Sequence, residues 1–409
     1  MNLDQRPCLR PLDFQPITYQ NQPMWLLRDP LKLSQEQLIF PAYLTQLLMF
    51  IDGTRTMDTI HADFCSYVKA PVDYAVIADT LDQLDAALLL DNDRSQQFKQ
   101  TLLAEYRAQP YRQPALAGLS YPSEPDKLTR LFEGYGRGDD LVDWQPWTGR
   151  GIVSPHIDYE RGGHVYAKVW RRAAAAILAA DLVVILGTDH NGGPGTVTLT
   201  RQAYTTPYGV LPTDLEMIAK LETAVGSDFA YAEELHHRDE HSVELSAVWL
   251  HYIYRQAGVT PKPMVPILVG SFHHFVANGH HPADDVKLTA VIDTTKREMS
   301  GKNVLLVASV DLAHVGPVFG DQFQMDVRRR ANLRMADEGV MQTAVAGDAV
   351  GWYDQIAAVQ DRNRICGFAP TYLMLRMLGR GNGRKIAYRQ CAADPQNASF
   401  VSICGLLLD

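Results

Sequence analysis

Residues 181–193 read DLVVILGTDHNGG, and this stretch decides the fold. Leu182 to Leu186 form an unbroken apolar run, too short for a helix and bounded by Asp181 and Gly187, so they read as a strand buried on both faces. Thr188, Asp189, His190 and Asn191 follow at once, so the strand delivers an acid and an imidazole at its carboxyl end. The same pattern recurs on either side. Gly151 to Ser154 reads as a short strand and runs into Pro155, His156, Ile157, Asp158 and Tyr159. Asn303 to Ala308 reads as another and runs into SVDLAHVG, residues 309–316. Further strands fall at Thr196 to Thr200 and Met264 to Val269. Helical spacing marks Val165 to Ala180, Asp214 to Val225, Ser242 to Tyr254 and Asp284 to Glu298. Alternation of this kind predicts an α/β domain: a central mixed sheet flanked by helices.

The chain has 409 residues, 46% of them hydrophobic and 21% charged, a balance that excludes a disordered, collagen-like or coiled-coil protein. A net charge of -9 argues against a general binder of nucleic acid or of anionic membranes. The most apolar stretch, Ala173 to Gly187, carries Asp181 and falls short of the roughly 20 residues that span a bilayer. Five cysteines, Cys8, Cys65, Cys366, Cys391 and Cys404, include no CxxC pair, and an odd count fits a reducing compartment. MNLDQRPCLRPLDFQ has no basic-then-apolar leader, so the expected location is cytoplasmic. Of the thirteen histidines only His61 precedes residue 150, which places the chemistry in the later part of the chain.

Residues 1–23 are polar, proline-containing and without period, and are expected to form an arm. Residues 24–100 read as a small winged-helix module: a strand near Met24, a turn at Asp52-Gly53-Thr54, a helix from Met57 capped by Thr56, and a second helix from about Asp73 with Ile77, Leu81, Leu84 and Leu88 on one face. Many winged helices bind DNA. Between residues 50 and 95, however, nine aspartates face only Arg55, Lys69 and Arg94, the wrong sign for a phosphate-binding surface. Residues 101–114 read as a linker and 115–409 as the α/β domain, with a helix over Ser123 to Phe132 that has Pro125 in its first turn.

In open α/β sheets ligands bind outside the carboxyl ends of the strands, so three strand ends carrying His and Asp point to one shared site. A fourth element is His237-Arg238-Asp239-Glu240-His241-Ser242-Val243-Glu244. If helical, it sets His237 and His241 on one face, with Asp239 and Glu240 suited to a first turn and Glu244 solvated. The fifth is Cys366, just before a helix over Thr371 to Leu378, where the dipole favours a thiolate. A buried core cysteine is the alternative, and Cys391 and Cys404 are read as core. Two imidazoles and one anionic ligand suit Fe(II), and also Zn or Cu. A further histidine suits proton transfer near neutral pH. HExxH, GxSxG, GxGxxG and P-loop patterns are absent.

SPHIDYERGG, ILGTDHNGG, TPYGVLPTD, DEHSVEL, VPILVG, SVDLAHVG and ICGFAPTYLML occur in the order and spacing of the Memo family, whose bacterial members are labelled component B of the AmmeMemoRadiSam system. The resemblance covers residues 115–409. The Memo fold is similar to the class III extradiol dioxygenases, non-haem iron enzymes that hold Fe(II) with two His and a carboxylate. The resemblance implies His156, His190 and Cys366 as metal ligands, His314 as acid/base oriented by Asp311, and His241 as a catalytic histidine. Asp158 and His237 are the substrate-contact candidates. The chain departs from the family at Ile157-Asp158, where PHAGY is usual, and at Gly118-Leu119-Ser120-Tyr121-Pro122, which lacks a tryptophan before Tyr-Pro. DGTRTMDTI and the helix after it resemble the PqqD-like winged helix, a peptide-binding module found beside radical SAM enzymes. The implied function is an iron-dependent oxygenase or oxidoreductase acting on a small molecule or peptide, with a possible radical SAM partner. A Cu- or Fe-binding scaffold without enzymatic activity and a metal-assisted hydrolase are the other two readings.

Overall fold

The computed structural model describes residues 6–34, 36–139 and 141–409. The chain forms two compact units, which meet in sequence between Ala108 and Gln109. In the first, β1 (Asp13–Tyr19), β2 (Gln22–Arg28) and β3 (Leu38–Pro41) make an antiparallel sheet in that order. Numbering only helices of eight residues or more, α1 (Met57–Val68), α2 (Tyr74–Ala86) and α3 (Asp93–Ala108) complete it. Thr56 caps α1 and Asp73 caps α2, as their side chains allow. Two expectations change here. The arm over residues 1–23 contains β1, whose side chains are nearly all exposed, so no apolar alternation announced it. The expected linker begins inside α3, which continues to Ala108.

The second unit is built on an eight-stranded mixed sheet. Its strands are β4 (Gly151–Ser154), β5 (Leu182–Thr188), β6 (Val197–Leu199), β9 (Met264–Val269), β10 (Val304–Ser309), β11 (His314–Val315), β12 (Gly383–Ala392) and β13 (Phe400–Leu408). A separate hairpin joins β7 (Tyr204–Thr206) to β8 (Gly209–Leu211). The order is β11-β13-β4-β10-β5-β9-β6, with β12 beside β13. Strands β4, β10, β5 and β9 are parallel, while β6 and β13 flank them antiparallel.

Side chains alternate between two cores, which is why these strands read as unbroken apolar runs. Val184 and Leu186 of β5 face one side, against α6 (Leu215–Val225), α8 (Val286–Gly301), α9 (Val327–Val345), α10 (Ala349–Ala357) and α11 (Phe368–Leu378). Val183 and Ile185 face the other, against α4 (Pro125–Tyr135), α5 (Tyr159–Ala179) and α7 (Ser242–Ala257), with Trp170 and Trp249 fully buried.

Register then positions the site. Ser309 pairs with Ser154 on one side and with Gly187 on the other, so the three neighbouring parallel strands end at one level. Gly187 is needed there: a Cβ would stand 2.5 Å from the Ser242 hydroxyl, so only glycine lets the end of β5 meet the start of α7.

Candidate metal centre

The three strand ends meet. His156, two residues past β4, is 2% exposed. Its N–H donates to Asp311 Oδ1 at 2.9 Å, and its Nδ1 faces the Ser309 carbonyl at 2.9 Å. A carbonyl can only accept, so Nδ1 carries the proton and Nε2 keeps the lone pair, which Cys366 Sγ approaches at 3.3 Å. His190, two residues past Thr188, places Nδ1 at 3.0 and 3.1 Å from the two oxygens of Glu240. His241, just before α7, places Nδ1 at 3.1 Å from Glu240 Oε1. The rings lie 4.9 to 5.3 Å apart, and one donor atom from each lies within 4.8 Å of the other two. All three histidines thus have Nδ1 engaged by the protein, the arrangement that orients imidazole metal ligands through Nε2.

Cys366 joins from the opposite side of the chain. Its Sγ is 3.3 Å from His156 Nε2, and its carbonyl accepts from the Thr188 hydroxyl at 3.0 Å. The loop before it holds Gln360, Asp361 and Arg364 at φ 52°, 45° and 51°, a left-handed backbone rare outside glycine. Gly367 permits the approach, since a Cβ there would meet the Asp311 carbonyl at 2.7 Å. The expected stabilisation of thiolate by the helix is overridden: burial pushes the Cys366 thiol up, with His190 opposing.

Burial holds His156 well below its ordinary value, so it is the neutral ligand form. Burial also works against charge on His190, but Glu240 and the Cys366 thiol outweigh it and raise that ring. Glu240 resists its own burial through His190 and His241 and stays well below the usual carboxylate range.

His314 opens on the same cleft, of about 450 Å³, as His156, His190, His241, Asp311 and Asp158. Its Nδ1 faces the carbonyls of Arg364 at 3.1 Å and Leu312 at 3.2 Å. Burial lowers it to about 4 and lifts the Asp311 carboxyl to about 6. One expectation is therefore corrected: two carbonyls fix the ring of His314, while Asp311 Oδ1 takes the N–H groups of His156 and Ile157. Asp311 stands three positions before His314, and its carboxylate is turned to the His156 turn instead.

Asp158 lies at the rim, where it caps α5 and pairs with Arg161. His237 does not reach the cleft. It is fully buried between the Tyr204 hydroxyl at 2.7 Å and the Thr198 carbonyl at 3.0 Å, and burial lowers it to about 3. The assumed helix through 237–241 fails, because a 3-10 turn ends at Arg238 and α7 begins only at Ser242. Glu244, expected in solvent, is wholly buried. It pairs with Arg112 and accepts from the Tyr121 hydroxyl and the Ala115 and Leu116 N–H groups. Arg112 also donates to the carbonyls of His237 and Glu240, so it ties the histidine turn to the start of the unit. Sequence reading missed Glu240, Glu244 and Arg112. A charged residue whose partner lies 50 positions away, as His190 does from Glu240, or 132 away, as Glu244 does from Arg112, carries no local signal.

A second group of potential ligands, Asp189, Glu233 and His236, lies beside the first. Here the Asp189 oxygens face His236 Nδ1 at 2.8 and 3.0 Å, and Glu233 accepts the Gly193 N–H.

Fold and site together define an α/β protein with a histidine-rich centre at the carboxyl ends of its parallel strands. Free imidazole Nε2 atoms and a thiol form a donor set that fits a borderline or soft transition metal. The sequence profile of the Memo-like protein family matches residues 112–406, and the chain belongs to that family. A MEMO1 family protein of Aquifex aeolicus (strain VF5) is 26% identical over 407 residues, covering 98% of this chain and 99% of the relative. One from Methanopyrus kandleri is 28% identical over 290 residues, covering 68% and 91%. One from Methanosarcina mazei is 29% identical over 268 residues, covering 64% and 85%.

Proposed function

We propose that this protein is a mononuclear non-haem iron protein, an oxygenase or oxidoreductase of the extradiol type, acting on a small molecule or peptide. The observation that carries this reading is the convergence of three Nδ1-anchored histidines and the Cys366 thiol beneath an open cleft that His314 also lines. His156, His190 and Cys366 hold the metal, with His241 beside them. Ferrous iron, when bound, supplies one-electron redox chemistry and Lewis acidity toward an oxygen-bearing substrate. The protein's own part is positional. His314, neutral and with Nδ1 fixed by carbonyls, presents Nε2 to accept a substrate proton. Asp311 holds the His156 turn in place. Asp158 and Arg161 set the polar rim that a substrate crosses.

The first unit is read as a winged-helix-type peptide module that recruits a peptide or a radical SAM partner. Its three-stranded antiparallel sheet, its Thr56-capped helix and its acidic middle support this reading. Five free cysteines support a cytoplasmic site of action, and among the described residues no helix is long and apolar enough to cross a membrane. A second reading, copper handling without catalysis, is favoured by the 3.3 Å approach of Cys366 Sγ to His156, because thiolate is the donor copper prefers.

Metal analysis of anaerobically purified protein tests the proposal, with Cys366→Ser alongside. Near-stoichiometric iron that is lost in the variant, with substrate-dependent O₂ uptake, supports it. Copper in place of iron favours the second reading. Turnover without O₂ replaces oxygenation by metal-assisted hydrolysis.

A further inference from the structure

A second cavity, of about 400 Å³, lies between the start of α9 and the segment after β11, and none of its lining residues borders the histidine cleft. That volume is in the range of small-molecule sites. Its floor is apolar and buried, made by Val315, Met325 and Leu333. One wall is the Phe323 ring, 40% exposed, with the Arg329 guanidinium over it at 5.1 Å. Facing this apolar ground are three polar side chains, Arg362, Asn332 and Asn363, which have no hydrogen-bond or ion-pair partner among the described residues. The chain as a whole carries -9, but this corner does not share that sign. Arg364 is matched by Asp321 at 2.7 Å and Arg329 by Asp326 at 2.7 Å. Asp361, next to Arg362, accepts the Ile365 N–H and lines a different cavity, beside Cys366. Arg362 is therefore the one guanidinium on the cavity wall without a paired carboxylate among the described residues.

We propose that this cavity is a binding site for a small carboxylic acid with an apolar body, its carboxylate held by Arg362 between the amides of Asn332 and Asn363 and its body laid on Val315, Met325 and Leu333 against the Phe323 ring. One unpaired guanidinium matches a monoanion. Its planar fork meets the two oxygens of a carboxylate with parallel N–H bonds, and the asparagine amides can donate to the remaining lone pairs. The apolar floor supplies affinity by taking the body out of water, and the charge supplies selectivity. The site stands apart from any metal at the histidine cluster. It does lie against the His314 segment: Val315 is the next residue in β11, and the Asn363 carbonyl accepts the His314 N–H at 2.8 Å.

The test is calorimetric titration of the full, metal-free chain with phenylacetate and hexanoate, an aromatic and a straight-chain acid. Phenylacetamide, which keeps the body without the charge, is titrated beside them. At least one acid should bind, and the amide should bind about 10–100-fold more weakly than phenylacetate, the loss expected when a charged hydrogen-bond partner is removed. Arg362→Gln should weaken binding of the acids by a similar factor and leave the amide almost unchanged. Methyl NMR of the wild type gives a readout that does not depend on how the variant folds. The Met325 methyl should shift on titration, while that of Met264, fully buried on β9, should not. No binding of either acid at millimolar concentration overturns the proposal. So does equal affinity for acid and amide, or binding undiminished by Arg362→Gln. Binding without a shift at Met325 puts the acid elsewhere, the histidine cleft included, and overturns it as well. With metal absent throughout, none of these outcomes bears on the metal reading.

Discussion

Two groups of three ligand-type residues flank a single turn, with Asp189 in one and His190 in the other. In the first, Nδ1 of His156, His190 and His241 is anchored to Ser309 or Glu240, and all three residues line the cleft. In the second, Asp189 already faces His236 Nδ1 and takes the Asn191 N–H, while Glu233 takes the N–H of Gly193. Exposure differs as well. The His190 and His241 side chains are 35% and 38% exposed, whereas Asp189 is completely covered. What separates the two groups is whether the donor atoms remain free once the protein's own hydrogen bonds are made.

The most decisive way to break this comparison is a pair of truncations. His156→Ala should reduce bound metal from near one equivalent to background, and His236→Ala should leave it unchanged, as read by elemental analysis. The opposite pattern would assign the metal to the acidic group.

The next largest effect extends the same accounting to Arg112. Removing one partner of a buried ion pair leaves the other charge uncompensated, so Arg112→Met should cost about 3–5 kcal/mol in denaturant unfolding. It should also loosen metal binding, because the carbonyls of His237 and Glu240 lose their donors. Unchanged stability would mean that the contacts to Tyr121, Ala115 and Leu116 suffice for Glu244.

Asp337 is the instructive opposite of Glu244. One of its oxygens accepts from the Tyr388 hydroxyl at 2.7 Å, and the other, buried, has no partner. Burial raises its pKa from 3.8 to about 6. The folded state therefore favours the protonated acid. That contribution is complete below the unfolded pKa and is lost as pH rises from about 4 to about 6. Asp337→Asn should remove this slope and stabilise the protein at pH 7 by about 2 kcal/mol, with no gain below pH 4. Thermal melts across that range decide it, and a variant less stable than wild type at pH 7 would rule out the burial argument.

The smallest expected effect is at a helix cap. Asp214 accepts the Met217 N–H at 2.9 Å, and Asp214→Ala should cost about 1 kcal/mol in the same melts. A loss as large as that of Arg112→Met would show that Asp214 acts beyond its own helix.

Much of the second unit was legible in its residues. β4 and β9 have the limits that their apolar runs suggested, and the helix expected over Asp214 to Val225 is α6, one residue shorter because Asp214 is its cap. These features depend on neighbours within a few positions, where side-chain volume, branching and capping chemistry act directly. β1 was illegible because an exposed edge strand carries no apolar alternation. The histidine turn was misread for a related reason: a 3-10 turn and an α-helix share a polar composition, but they place His237 and His241 differently.

The local sequence by itself determined which segments become buried strands, and that His156, His190 and His314 follow three of them. It also determined the donor types: imidazole, thiol and carboxylate. Only the tertiary structure decided that β4, β10 and β5 lie side by side and end level, which turns three separate motifs into one site. Only it decided which Nδ1 partner holds each ring, since that depends on Ser309 lying 153 positions from His156 and on Glu240 lying 50 from His190. The physical reason is range. Periodicity and capping are settled by contacts within a turn or two. Strand order and the pairing of buried polar groups are settled when distant segments exclude water together and each donor must find an acceptor.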